Sequence, residues 1–349
     1  MTNEPRAYAA AGVDIAARGV FAKGLPGILK QARRPEVLSD AGPFSGLFRL
    51  GDRYKDPVLA ASADGIGTKV KLHLAANRLD LCGPDILGAS INDVLACGAE
   101  PIFFLDYIAG NGLTNDQKTT LVEGVARACA EANCALLGGE TADMPDVYGP
   151  GEFDLAGFIV GVVEREKIID GSKVKAGDLI FGLPSSGAHT NGYSLARKVL
   201  GIADGEAPAE TQRRLEERPA LLGGQTVGEA ILAVHRPYYA ELSPFFDRVH
   251  GIAHITGGGY PENVPRVLPE GTTAVFDTRA WPVLPVFRLI QQRGEISNEE
   301  MYEVFNMGIG IVFMVDPADA DAVRAAMPEA REIGRVTAGT GRRVELRGL

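Results

Sequence analysis

The chain has 349 residues, of which 46% are hydrophobic and 23% charged, and its formal net charge is −10. That length predicts about two domains with ample core, and the acidic balance argues against a nucleic-acid partner, because polynucleotides are gripped by basic surfaces through counterion release. No run approaches the ~18 apolar residues of a membrane span, and residues 1–24 lack the apolar core of a secretory signal. Cys82, Cys97, Cys129 and Cys134 form no C-x-x-C pair. Buried reduced thiols, a cytoplasmic location and no membrane partner are therefore expected. A single anionic small molecule stays open as a ligand, because Mg²⁺ can offset carboxylates in a phosphate site.

Residues 1–40 mix Gly, Ala and charge without sustained periodicity and read as a partly mobile arm. Asp14 there follows Ala11-Gly12-Val13, and Lys23 lies downstream; an ordinary Gly–Asp turn accounts for the first as readily as a ligand does. The apolar run Pro57–Ala61 predicts a buried strand, and after it comes Ser62-Ala63-Asp64-Gly65-Ile66-Gly67-Thr68-Lys69. A carboxylate for a cation, glycine N–H groups and an ammonium for phosphate oxygens suit a metal–polyphosphate. The spacing is not that of a Walker A loop, which needs four residues between its glycines and Lys before Ser/Thr. A plain tight turn is the competing reading.

Residues 84–98 predict a helix, with Pro84 in its first turn and Gly98 as its C-terminal cap. Leu87, Ile91, Val94 and Leu95 make its apolar face, and Asn92 and Asp93 stand at that face's edge. A strand over Pro101–Ala109 and a helix over Asp116–Ala132 follow. A short strand, Cys134–Leu137, ends in Gly138-Gly139 and then Glu140-Thr141-Ala142-Asp143. Two carboxylates at a strand end are costly together without a cation, and that edge is where open α/β sheets bind ligands. After a strand over Asp154–Val163 the pattern breaks near 164–178, which predicts a domain boundary.

The second half restarts with strand Leu179–Phe181, a Gly/Ser loop through Gly192 and a helix over Tyr193–Leu200. Residues 201–224 read as a surface excursion. A helix over 225–242, a strand around Ile252–Ile255, a strand over Ile309–Val315, a helix over 317–327 and a closing strand over Arg342–Leu346 complete the chain. Strands alternating with helices predict α/β or α+β. Two strand–Gly-rich loops, 182–192 and 254–260, have anion-binding form. His189 in the first is the strongest acid–base candidate; His254 reads as an orienting or packing residue, and His73, His235 and His250 lack comparable context. No Ser/His/Asp triad, dinucleotide fingerprint or Cys-rich metal framework is present.

The order of these motifs resembles the AIR synthetase (phosphoribosylformylglycinamidine cyclo-ligase) family over nearly the whole chain. The residues that carry it are AAGVDI at 10–15, SADGIGTKVKL at 62–72, INDVLACGAEPIFFLDYIA at 91–109, LLGGETADMP at 136–145, SSGAHTNGYSLARKVL at 185–200 and AHITGGGYPENVPRVLP at 253–269. The chain departs from the family's pattern in its arm, Ala16-Ala17-Arg18-Gly19, and at Asp143, where the family usually has Glu.

The resemblance implies an α/β (α+β) two-domain fold. Residues 1–168 would form an N-terminal ATP-binding and dimerisation domain contributing strands to a dimeric β-barrel, and residues 169–349 a C-terminal α/β domain. It implies ATP-dependent closure of formylglycinamidine ribonucleotide to 5-aminoimidazole ribonucleotide in purine biosynthesis, with ATP as substrate, Mg²⁺ as cofactor and a homodimer. Carried over position by position, it implies Asp64, Asp93 and Glu140 as metal ligands. ATP would be bound by Asp14, Lys23, Asp64, Gly65, Gly67, Thr68, Lys69, Asp93, Gly139, Glu140 and Thr141. The second substrate would meet His189, Thr190, Asn191, Gly257, Gly258 and Gly259, and His189, Lys69 and Asp64 would be catalytic. Selenophosphate synthetase, the hydrogenase-maturation dehydratase and thiamine-monophosphate kinase fit the motif set less well. A catalytically silent nucleotide-binding protein would be expected to lose some of the carboxylates or lysines, and none of the main ones is missing.

Overall fold

A computed structural model describes residues 15–39, 44–203, 207–340 and 343–349. The first half forms helix α1 (Ile15–Leu29), strand β1 (Pro57–Gly65), helix α2 (Lys69–Ala75), helix α3 (Cys82–Leu95), strand β2 (Glu100–Gly110), helix α4 (Asn115–Glu131), and strands β3 (Ala135–Asp143) and β4 (Phe153–Glu164). Local chemistry sets several of these ends. Thr114 and Gln117 close a reciprocal capping box at the start of α4. Gly98, with φ of 80°, turns the chain after α3. The arm is thus helical from Ile15 onward; Asp14 and the residues before it lie outside the described residues.

Both motif strands run further than their apolar stretches suggest. β1 continues through Asp64 and Gly65, and β3 continues through Glu140 to Asp143. The sheet order is β1-β4-β2-β3, with β2 and β3 parallel and the other neighbours antiparallel. Leu87, Ile91 and Val94 of α3 and Leu121 and Val125 of α4 bury against one face of it in a common core.

The second half is a six-stranded sheet in the order β10-β7-β9-β5-β8-β6. Its strands are β5 (Leu179–Pro184), β6 (Val249–His254), β7 (Thr272–Asp277), β8 (Ile309–Val315), β9 (Arg331–Ala338) and β10 (Val344–Arg347), and helix α5 (Tyr193–Val199) follows β5. Every residue of β8 is buried, as its unbroken apolar run demands. In this sheet, among the described residues, β10 and β7 alone pair in parallel, so the fold is α+β in character.

Three expectations need correction. The barrel is absent: both sheets are open, and among the described residues β1 and β3 are the unpaired outer strands of the first. The excursion at 201–224 contains a helix, Pro208–Glu216. The helix expected over 225–242 breaks into Val227–Ile231 and Tyr239–Leu242. Pro237 lacks the N–H a helix needs and disfavours helical backbone at Arg236 before it. The intervening segment passes against α3 at Gly88, where a Cβ would collide with the His235 carbonyl.

Asp106 of β2 is buried beneath Gly139 of β3, where a Cβ would collide with its carboxyl group. Burial pushes its pKa from 3.8 up to about 7. The folded-state value thus exceeds the unfolded one. The unfolded chain releases this proton first, and stability falls as pH rises from about 4 to about 7, by at most about 1.4 kcal/mol per pH unit. Asp106→Asn should lose that decline. Relative to the wild type its urea midpoint should be higher at pH 8 than at pH 5, and an unchanged difference between the two pH values would remove Asp106 as the source.

Candidate active site

The two sheets meet along a seam at which a buried ion pair of the first half bonds to backbone of the second. Lys69, first residue of α2, is fully buried, and its three N–H bonds go to Asp85 Oδ1 of α3 at 2.8 Å, the His189 carbonyl at 2.9 Å and the Ala233 carbonyl at 2.8 Å. Asp85 also accepts from the His235 backbone N–H at 2.8 Å and lies 2.7 Å from His73 Nε2. Burial lowers the pKa of Lys69, and Asp85 opposes that shift. The sequence predicts phosphate contact for Lys69. In the structure all three of its donors are occupied inside the protein.

Asp64 and Asp93 come together on the helix-covered face of β1. Ser62, two residues before Asp64 and on the same side of the strand, donates to Asp93 Oδ2 at 2.7 Å. Asp93 Oδ1 lies 3.0 Å from His254 Nδ1, at the end of β6. Burial raises the pKa of Asp64, and the charge of Asp93 adds to the shift. Burial also works to raise Asp93, but the hydrogen bonds from His254 and Ser62 and nearby positive charge outweigh it and hold its pKa low. Two neighbouring carboxylates, one resisting ionisation beside the other's charge, are a donor set that a hard divalent cation relieves.

Glu140 does not join them. Gly139 faces the Asp106 side of the sheet, so Glu140, one residue on, faces the opposite side. It lies on the far edge strand, three strand spacings from β1, or roughly 14 Å. Glu140 is exposed there, 4.0 Å from Arg18 of α1, and Lys23 is exposed on that same helix. Asp143 is held by Lys118 of α4 at 2.6 Å. Thr141 and Gly139 belong to β3 and are likewise away from Asp64.

The remaining expected residues that the structure describes converge on the seam. Gly67 takes φ of 56°, and Thr68 Oγ1 is 3.2 Å from Ser194 Oγ of α5. Asn191 approaches Gly257, and Asn263 ties down the 256–259 turn by donating to the Gly257 and Gly259 carbonyls. Gly258 and Gly259 both have positive φ.

His189 is wholly buried, takes φ of 59°, and among the described residues neither ring nitrogen has a hydrogen-bond partner. Left-handed backbone on a non-glycine residue and two orphaned buried nitrogens are costs that cluster at functional sites. Burial, with His254, Lys69 and Arg236 adding to it, drives its pKa well below 6.5, so the ring is neutral at pH 7. His189, His235 and His254 offer nitrogens within 4.8 Å of one another. They do not suit a metal: His189 stacks flat on His235 at 3.9 Å and 18°, so the two rings' in-plane lone pairs run side by side. Asn92, whose Oδ1 accepts from the Tyr238 N–H and whose Nδ2 donates to the Arg236 carbonyl, points its other amide hydrogen at His235 Nε2, 3.1 Å away.

Asp85, His73 and His235 are participants that sequence reasoning missed. They lie in regular helix or break-point contexts, and only the three-dimensional seam gives them partners. Lys69→Met should strand the Asp85 carboxylate and destabilise the protein by about 3–5 kcal/mol. A thermal or urea melt checks this, and a loss under 1 kcal/mol would refute the bridging role.

The models for "AIR synthase related protein", N-terminal and C-terminal domains, match residues 45–163 and 175–347. The chain is 46% identical over 341 residues to a phosphoribosylformylglycinamidine cyclo-ligase of Myxococcus xanthus, covering 96% of both chains. It is 44% identical over 327 residues to one of Neisseria meningitidis serogroup C, covering 93% of this chain and 92% of that one. Among solved structures it is similar to a thiamine-monophosphate kinase from Stenotrophomonas maltophilia, with TM-score 0.63, 17% identity and 93% and 96% coverage. It is also similar to the hydrogenase maturation protein HypE, with TM-score 0.61, 16% identity and 92% and 93% coverage. These structural likenesses establish a shared fold.

Proposed function

This chain belongs to the AIR synthase related protein family, and from that membership and its cyclo-ligase relatives we infer that it is an ATP-dependent ring-forming ligase. It closes formylglycinamidine ribonucleotide to 5-aminoimidazole ribonucleotide, releasing ADP and phosphate, a step of purine biosynthesis. The observation that best supports a reactive centre at the seam is His189: strained, buried, neutral and without a partner for either nitrogen.

The formyl amide carbon is a poor electrophile. Phosphorylation of its oxygen by ATP would give an imidate phosphate; the amidine nitrogen then attacks that carbon and phosphate leaves. Such transfer depends mostly on positioning and charge neutralisation. Asp64 and Asp93 would hold Mg²⁺, which neutralises phosphate charge when bound. Gly67 and Thr68 would approach phosphate oxygens through the backbone and a hydroxyl, beside Gly65, whose N–H donates to Asp64 Oδ1 at 2.7 Å. His189, with its lone pair free at pH 7, accepts a proton from the substrate, and Thr190 and Asn191 orient it. The Gly257–Gly259 turn would hold the 5′-phosphate. Asp14 and Lys23 would close the arm over the nucleotide. Residues 1–168 would carry ATP binding, and residues 169–349 the other substrate's contacts.

A homodimer is supported by the outward face of the first sheet, where Leu59 and Phe158 are exposed at 58% and 43% among small apolar neighbours. No helix among the described residues is long and apolar enough to cross a membrane, and the free cysteines suit a cytoplasmic setting.

ADP release should depend on formylglycinamidine ribonucleotide; release without it, or only with another acceptor, would overturn the reading. Asp64→Asn should lower kcat at least about a hundredfold while leaving the fold intact. His189→Asn, which tolerates the left-handed backbone, should lower kcat by about 10²–10⁴ with little change in KM for ATP. A change confined to that KM would move His189 into the nucleotide site.

A further inference from the structure

We propose that His254 is a positioning residue for the cation site: it fixes the Asp93 carboxylate and makes that site depend on the docking of the two halves. This rests on the reading of Asp93 as a cation ligand. Asp93 is on α3, packed against the first sheet, whereas His254 ends β6 of the second. Their 3.0 Å contact therefore crosses the seam. An ionised carboxylate only accepts, so His254 Nδ1 must carry the proton that faces it. Ser62 donates to the other oxygen from β1 at 2.7 Å. With one donor on each oxygen, from two different sheets, the carboxylate cannot rotate freely, and its remaining lone pairs keep one direction.

His254 is itself held. The ring is buried and packs at a tilt against the His235 ring, their centroids 5.2 Å apart. His235 is fixed in turn by Thr190 Oγ1 at 3.2 Å on Nδ1 and by the amide of Asn92. Asn92 precedes Asp93 on α3, so the chain of contacts leaves α3, passes through the second half and returns to α3 one residue away. A donor to a metal-binding carboxylate typically changes metal affinity by 10–100-fold when removed. The same closed chain gives cation binding a reason to favour the docked arrangement of the halves.

The amide of Asn can present an N–H where imidazole Nδ1 stood, whereas that of Gln corresponds to Nε2 and overshoots Asp93. Mn²⁺ binding to the whole protein with a non-hydrolysable ATP analogue, read from the electron paramagnetic resonance signal of free Mn²⁺, should be weakened about tenfold or more in His254→Gln. His254→Asn should recover most of it. The Mg²⁺ concentration for half-maximal turnover should follow the same order, with kcat at saturating Mg²⁺ changing less. Wild-type Mn²⁺ affinity in His254→Gln, or equal weakening in both variants at matched melting temperatures, would overturn the positioning role. Asp93→Asn separates the two readings. Weakened binding there with an unaffected His254→Gln refutes positioning alone, whereas unchanged binding in Asp93→Asn refutes the cation role on which the proposal rests.

Discussion

The Lys69–Asp85 pair is the constraint from which the rest of the seam follows. A buried ammonium and carboxylate are stable only when every donor and most lone pairs are satisfied. Lys69 meets that demand with two carbonyls of the second half, those of His189 and Ala233, and Asp85 meets it with the His235 N–H and the His73 ring. Four stretches of chain are thereby drawn to one point: the start of α2, the first turn of α3, the loop before α5 and the break between the Val227–Ile231 and Tyr239–Leu242 helices. The loop that bears His189 is held by its backbone, which leaves the nitrogens of the stacked imidazole without a hydrogen-bonding duty among the described residues.

That division of labour explains the electrostatics. The Lys69 ammonium is met by Asp85 inside the protein, while burial and the neighbouring His254, Lys69 and Arg236 keep the His189 ring neutral. The carboxylates above it are uneven: Asp93 is stabilised as an anion by donors, while Asp64 is raised by burial and by Asp93's charge. An anionic pair with one reluctant member suits a divalent cation, which supplies the missing positive charge.

Much of this was legible in the sequence because glycine-rich strand ends and their carboxylates are local signals. Asp64, Gly67, Thr68, Asp93, His189, Asn191 and the 257–259 turn all gather where the two halves meet. Other placements turn on non-local facts. Lys69 stands in a phosphate-like motif, yet its role is decided by Asp85, which is 16 residues away and lies on another helix. Glu140 looked like a third ligand because its motif ends a strand, but β3 carries on through it and strand alternation sends its side chain to the other face. The open first sheet could not be read from strand count, since closure depends on which edges pair. His235 had no local signal: its importance arises from Pro237, which ends the helical pattern and lets the chain enter the seam.

That entry leaves a segment, 232–238, with loop backbone and core behaviour. The His235 and Tyr238 amides donate to Asp85 and Asn92, and the Ala233, Val234 and Arg236 carbonyls accept from Lys69, Ser186 and Asn92. A helix protects its amides with its own carbonyls, and a surface loop protects few. Here protection is lent by side chains of both halves, including a buried ion pair. In native-state hydrogen exchange the His235 and Tyr238 amides should therefore open with the separation of the halves rather than by local fraying. A stretch without regular structure thereby becomes a reporter of whether the halves are docked.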